Sequence, residues 1–310
     1  MSILFVFPGQ GSQRPGMLQQ LPQHAACHAV LAEAEAVLGS SPHLLDSATA
    51  LRSTVAVQLC LLIAGVASAR LLQAAGIQPQ MVAGLSIGAF AAAVVAEALP
   101  LADALRLVRR RGQLMEQAYP QGYGLCAVSG LALPQLDSLL AQLRATGSPL
   151  YLANINAERQ LVVAGSDTGL QQLASLIQSS GAGRCQRLDI SVPSHCSLLD
   201  EAASALHQDF ARIRLAAPRL DYLSASAARL LRRPEQIADD LAGNMARLVR
   251  WHDCSRLAYE RGARLAVEML PGSTLSKLLA AVFEDGTALA LATTRLDSLQ
   301  AQASRLQAQD

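Results

Sequence analysis

Gly84-Leu85-Ser86-Ile87-Gly88 is the stretch of this 310-residue chain whose residue types and spacing most directly suggest chemistry. An apolar run, Met81 to Ala83, precedes it and reads as the end of a buried strand. A small-residue run, Ala89 to Ala96, follows it and reads as a helix. A serine between two glycines on a strand-to-helix turn is the setting of a nucleophile elbow. The glycines relieve crowding where the backbone bends sharply. The helix N-terminus then offers free N–H groups to a developing oxyanion. Two further stretches could contribute. Pro8-Gly9-Gln10-Gly11-Ser12-Gln13 is a glycine-rich loop that follows an apolar run, Ile3 to Phe7. It lacks the spacing of a Walker A or dinucleotide-binding loop. Arg109-Arg110-Arg111 lies in an amphipathic pattern expected to be a helix over 101–119. Successive helical residues point about 100° apart, so at most one or two of the three arginines can face a site.

The elements that must position these residues alternate. Ile3 to Phe7 suits a strand buried on both faces, as in a parallel sheet, and ligands of such sheets bind at the strands' C-terminal ends. Helices are expected over about 25–38 and 53–75, with Gly76 as the C-cap of the second. Leu101, Leu105, Val108 and Met115 can share one face of the 101–119 helix. From about Gly124 the order becomes strand, helix, two strands, helix, strand. The strands are expected near 125–128, 150–153, 160–164 and 185–190, and the helices near 134–146 and 167–180. That is the split βαβ order of a ferredoxin-like unit. The expected fold is therefore α/β: a large α/β-hydrolase-like domain with a parallel-sheet core (1–123 and 191–310) and an inserted small ferredoxin-like domain (124–190). The last part is expected to hold helices over 197–213, 237–248 and 251–261, with strands over 220–224 and 265–269.

Composition narrows the function. The net charge is +1 and 51% of residues are hydrophobic, so a nucleic-acid or anionic-membrane role has no electrostatic support. The six cysteines are scattered without C-x-x-C spacing, which suggests neither a disulfide framework nor a zinc site. The N-terminal apolar run is only strand length, and the stretches 55–69 and 81–96 are interrupted or too short to span a bilayer. A cytoplasmic protein is expected.

Taken together, the motifs resemble the malonyl-CoA:acyl carrier protein transacylase family over almost the whole chain. Phe5-Val6-Phe7-Pro8-Gly9-Gln10-Gly11-Ser12-Gln13, Gly84-Leu85-Ser86-Ile87-Gly88, Arg111-Gly112-Gln113-Leu114-Met115, Asn154-Ile155-Asn156, Val192-Pro193-Ser194-His195 and Pro271-Gly272-Ser273-Thr274-Leu275 fall in that family's order. The resemblance implies that Ser86 is the acyl-accepting nucleophile and His195 its base. Backbone N–H groups of Gln10 and Ile87 would form the oxyanion hole. Arg111 would pair with the free carboxylate of a malonyl group, with Leu85, Asn154 and Asn156 also facing substrate. The chemistry agrees: imidazole titrates near neutrality, and a planar guanidinium can bind a carboxylate through two hydrogen bonds. Malonyl-CoA and an acyl carrier protein with a phosphopantetheine-type arm are the implied partners; no cofactor or metal is implied.

Two positions depart from the family pattern. Leu85 stands where a histidine usually precedes the nucleophile. Asn244 is the nearest match to a glutamine whose backbone carbonyl orients the catalytic histidine. Gly84-Leu85-Ser86-Ile87-Gly88 followed by the alanine run looks more like the transacylase (epsilon) subunit of malonate decarboxylase, which would act with other decarboxylase subunits. The alternative is the malonyl transacylase of fatty-acid synthesis. A serine esterase or thioesterase and a non-catalytic scaffold are the readings from other classes.

Overall fold

The computed structural model describes residues 1–119 and 121–308. Pro120, Gln309 and Asp310, which fall within the expected large-domain segments, lie outside the described residues. The chain opens with β1 (Ser2–Phe7), whose last five residues are all buried. Helices α1 (Ala25–Leu38) and α2 (Thr54–Ala74) follow, then β2 (Met81–Gly84), α3 (Gly88–Val95) and α4 (Leu101–Ala118). Ser53 caps α2 by accepting from Ala56 N–H, and Gly76 follows its C-cap with φ 85°. By length and composition α2 could cross a bilayer, contrary to the expectation that its stretch is too short, but 89% of its most apolar window is buried inside the protein.

The middle of the chain runs β3 (Tyr123–Ser129), α5 (Leu133–Ala145), β4 (Leu150–Ala157), β5 (Gln160–Ser166), α6 (Asp167–Ser180) and β6 (Arg184–Arg187). After it come α7 (Asp200–Phe210), β7 (Asp221–Ser224), β8 (Arg229–Leu231), α8 (Pro234–Gly243), α9 (Trp251–Glu260), β9 (Ala263–Glu268), α10 (Thr274–Ala280), β10 (Thr287–Ala290) and α11 (Leu296–Gln307).

Two sheets result. The larger has the order β10-β9-β1-β2-β7-β8 and is parallel except for the β7–β8 pair. Its strands β1, β2 and β9 are almost wholly buried, as a sheet covered on both faces requires. The smaller sheet is antiparallel, with the order β4-β5-β3-β6. A parallel bridge between Asn154 and Val249 joins the two parts, with Ile155 N–H donating to Val249 O at 2.8 Å and Val249 N–H to Ala153 O at 2.9 Å.

Several boundaries differ from the sequence expectation; strand β4, expected over 150–153, runs on to Ala157. The helix expected over 237–248 stops at Gly243 and continues as a 3-10 turn over Asn244–Ala246, which frees carbonyls for another use. Strand β6 ends at Arg187 rather than 190; Leu188 N–H still donates to Leu125 O at 2.9 Å, and residues 188–190 line a cavity. The helix expected over 197–213 is a 3-10 turn, Ser197–Leu199, followed by α7, which ends at Phe210. The short strands β8 and β10 carry too little alternation to stand out in the sequence.

Candidate active site

Ser86 leaves the C-terminal end of β2 with φ 55°, in the left-handed region that non-glycine residues seldom adopt. The flanking glycines make this turn possible. A Cβ on Gly84 would lie 2.1 Å from Ala89 N, and one on Gly88 would lie 2.1 Å from Phe7 O. Neither position has room for a side chain, so β1, β2 and α3 can close together and lift Ser86 to the edge of the sheet.

His195 sits opposite, also left-handed (φ 67°), with its backbone N–H donating to Met245 O. Its Nε2 is 2.8 Å from Ser86 Oγ. Its Nδ1 is 2.8 Å from Asn244 O and 3.2 Å from Arg247 O. Carbonyls only accept, so Nδ1 must carry the proton and Nε2 is left to accept from the serine hydroxyl. The break in helix geometry after Gly243 turns the two carbonyls toward the ring. Sequence motifs pointed to Asn244 here. The part played by Arg247 was missed, because a backbone acceptor leaves no mark on residue type. Burial, then the nearby Arg111 charge, lowers the His195 pKa to about 4, against the upward push of the two carbonyls. The imidazole is thus neutral at pH 7 and competent to accept a proton.

Arg111 is 0% exposed on the inner face of α4, beside Leu105, Val108 and Met115. Its Nη2 donates to Ser86 Oγ at 3.2 Å and to Asn244 Oδ1 at 3.1 Å. Its Nε is buried without a partner. Burial alone pushes its pKa down to about 9, so the guanidinium is charged at neutral pH and lacks a compensating carboxylate. The other two arginines of the run point elsewhere, as the helical period requires. Arg109 donates to Leu38 O and Arg110 pairs with Asp209 on the surface.

A cavity of about 590 Å³ lies between the two sheets. Ser86, His195, Leu85 and Gln10 line it from the larger sheet's side, and Asn154 and Asn156 from the smaller. Arg111 sits one layer behind, reaching the cavity through Ser86. The N–H groups of Gln10 and Ile87 donate to no acceptor within the described residues. Asn154 Nδ2 donates to Asn156 Oδ1 at 3.3 Å, while Asn154 Oδ1 is buried without a partner. Leu85 takes the place beside the nucleophile and closes over Gly9, where even a Cβ would meet its Cδ2 at 2.6 Å. Among the described residues no group of three or more His, Cys, Asp or Glu could hold a metal ion. Of the residues that the resemblance singled out, Gln10, Leu85, Ser86, Asn154, Asn156 and His195 line this cavity, while Arg111 and Asn244 reach Ser86 from behind it.

Comparison with known proteins bears on the same assembly. The acyl transferase domain family matches residues 4–303. The malonyl CoA-acyl carrier protein transacylase of Escherichia coli (strain K12) is 33% identical over 293 residues, covering 93% of this chain and 94% of that protein. The crystal structure of FabD from Acinetobacter baumannii superposes with a TM-score of 0.93 at 30% identity, covering 98% of this chain and 99% of the other. A malonyl-transacylase solved in complex with a type II polyketide synthase acyl-carrier protein superposes with a TM-score of 0.90 at 30% identity, covering 98% of this chain and all of the other. With an elbow serine, a neutral histidine and a buried arginine gathered at one cavity, and with likeness along nearly its full length, the chain belongs to the acyl transferase domain family, among the malonyl CoA-acyl carrier protein transacylases.

Proposed function

We propose that this protein moves a malonyl group from malonyl-CoA, through an ester on Ser86, to the thiol of a phosphopantetheine-type arm on an acyl carrier protein. The observation that carries the reading is the placement of one serine hydroxyl between His195 Nε2 at 2.8 Å and Arg111 Nη2 at 3.2 Å. In the first half-reaction Ser86 Oγ attacks the thioester carbonyl and its proton passes to His195 Nε2. The carbonyl oxygen becomes an oxyanion facing the N–H groups of Gln10 and Ile87. As the tetrahedral centre collapses, the C–S bond breaks and the coenzyme A sulfur leaves with the proton from His195. The second half-reaction is the reverse, with the carrier's thiol as attacking group. Two carbonyls hold His195 Nδ1–H where a carboxylate does so in a triad, so orientation of the ring is kept without a third charge. The malonyl carboxylate is held by Arg111, with Asn154 and Asn156 at the cavity wall.

The relatives favour a carrier of the fatty-acid or polyketide kind: several are malonyl CoA-acyl carrier protein transacylases and one is a polyketide synthase. The malonate decarboxylase carrier, with its other subunits, is supported only by Leu85, Asn244 and the alanine run, so the fatty-acid type is the better-supported branch. A cytoplasmic location fits both. We also read 124–190 as an inserted ferredoxin-like domain, supported by the order β4-β5-β3-β6; native-state hydrogen exchange should show it opening as its own cooperative unit.

Incubation with labelled malonyl-CoA tests the activity. A malonyl adduct on the intact protein that is discharged to a carrier supports the proposal. Release of free malonate without an adduct would point to a hydrolase, and no reaction to a scaffold. Running both carriers side by side separates the two branches.

A further inference from the structure

Among the described residues, Asn244 is the one that hydrogen-bonds to His195, Arg111 and Ser86 alike. Its backbone oxygen accepts from His195 Nδ1 at 2.8 Å. Its side chain does something separate: Oδ1 accepts from Arg111 Nη2 at 3.1 Å, and Nδ2 donates to the Ser86 carbonyl at 3.3 Å. The residue is buried at 4% exposure. Arg111 Nη2 has two hydrogens, and its two acceptors are Asn244 Oδ1 and Ser86 Oγ.

The chemical kind of this partner matters. Buried arginines are ordinarily matched by a carboxylate, which orients the guanidinium and cancels its charge. Asparagine has the same shape as aspartate, yet its amide oxygen orients without cancelling. No acidic side chain perturbs Arg111. We infer that the Asn244 side chain is a positioning residue that sets donor selectivity: it holds Arg111 beside Ser86 through a neutral contact and so keeps the guanidinium charge free for the carboxylate of the acyl group. The inference rests on the malonyl-transfer reading above.

Isosteric substitution introduces the charge without changing shape, and the Nδ2 donor to the Ser86 carbonyl that it also removes is common to both acyl donors and so cancels in their ratio. kcat/KM for malonyl-CoA and for acetyl-CoA is measured in wild type, Asn244→Asp, Asn244→Gln and Arg111→Ala, with thermal melts to check folding. In Asn244→Asp the new carboxylate pairs with Arg111 and repels the incoming one. The malonyl-to-acetyl ratio should fall on the order of 100-fold, as for a like-charge contact in a buried site. Acetyl transfer should change far less, because both donors share Ser86 and His195. Asn244→Gln keeps a neutral amide and should keep the ratio within about tenfold of wild type, a window well inside the charge effect. A merely structural role would lower both donors together and leave the ratio alone. That result in Asn244→Asp overturns the inference, as does a loss of ratio in Asn244→Gln as large as in Asn244→Asp. If Arg111→Ala collapses the ratio while Asn244→Asp does not, the malonyl reading survives and only the role of Asn244 fails. If wild type shows no preference for malonyl, both fall.

Discussion

Arg111 and Asp240 are both buried charged side chains, and the protein treats them in opposite ways. Asp240, on α8, is 3% exposed and receives three hydroxyls: Ser224 Oγ at 2.6 Å, Tyr222 Oη at 3.0 Å and Ser226 Oγ. Burial lifts its pKa above the usual carboxylate range even against those donors. The cluster ties α8 to β7 and the turn after it, and both carboxylate oxygens accept from the protein itself. Arg111, at 0% exposure, shares one nitrogen between two neutral acceptors and leaves Nε with none. A buried polar group left short of partners is costly, and natural proteins seldom keep one without a use. The difference separates a charge that holds structure from a charge held ready for something outside the protein. Yet the two regions are joined, because Asp240 anchors the helix whose end presents Asn244 and Arg247 to His195.

The comparison breaks most decisively at the serine. Ser86→Ala should fold and yet form no acyl-enzyme, a complete loss in intact-protein mass spectrometry after exposure to malonyl-CoA. An adduct that persists in this variant sinks the assignment.

His195→Ala should slow acylation by about 10²–10⁴-fold with donor binding nearly unchanged, the usual worth of a general base. The wild-type pH profile sharpens this. The base works only when neutral, and in the free protein its pKa lies at about 4. The value of kcat/KM should therefore hold as pH falls from 7 and drop only as it passes through about 4. A bound malonyl carboxylate offsets the Arg111 charge that helps to depress that pKa, so kcat should begin to fall at a higher pH than kcat/KM. Profiles of kcat and kcat/KM that coincide near the unperturbed histidine pKa would contradict the electrostatic picture.

Arg111→Ala should lower malonyl transfer by roughly 30-fold to several thousand-fold, the equivalent of about 2–5 kcal/mol for truncating one member of a buried charge pair. Acetyl transfer should fall much less or rise, since a desolvated charge without a partner is removed. Arg111→Lys should restore only part, because an ammonium lacks the planar fork. Arg110→Ala, which removes an exposed pair with Asp209, should leave the donor ratio unchanged. A collapse of the ratio in Arg110→Ala but not in Arg111→Ala would show that the wrong arginine has been assigned.

The smallest effect on selectivity belongs to the other half of the comparison. Asp240→Ala removes the shared acceptor of the buried Tyr222 and Ser224 hydroxyls and of the half-buried Ser226, and should cost about 1–3 kcal/mol in denaturant unfolding. The malonyl-to-acetyl ratio of the folded protein should stay at its wild-type value. A changed ratio would mean that the two regions are not separable in function.

Much of this was legible in the chain. The elbow was readable because a sharp turn between two crowded segments excludes every residue but glycine at two positions, and that steric rule acts locally. Strand β1, helix α4 and the strand–helix order of 124–190 were readable because apolar period and helical period are also local. For the three arginines the helical period said only that at most one or two could face a site, and the family resemblance chose Arg111.

Folding in three dimensions decided the rest. Nothing in residues 237–248 says that their helix must end at Gly243, since its freed carbonyls have value only where a histidine from 49 residues away meets them. The side chain of Asn244 reads in sequence as a substitute for a family glutamine. Its contacts with Arg111 and Ser86 span 133 and 158 residues and exist only once three elements are packed. The depressed pKa of His195 and the uncompensated charge of Arg111 are likewise properties of burial and neighbours. Sequence determines which groups the chain owns and the local geometry that displays them; only packing determines how far each is stripped of water and what is left to satisfy it.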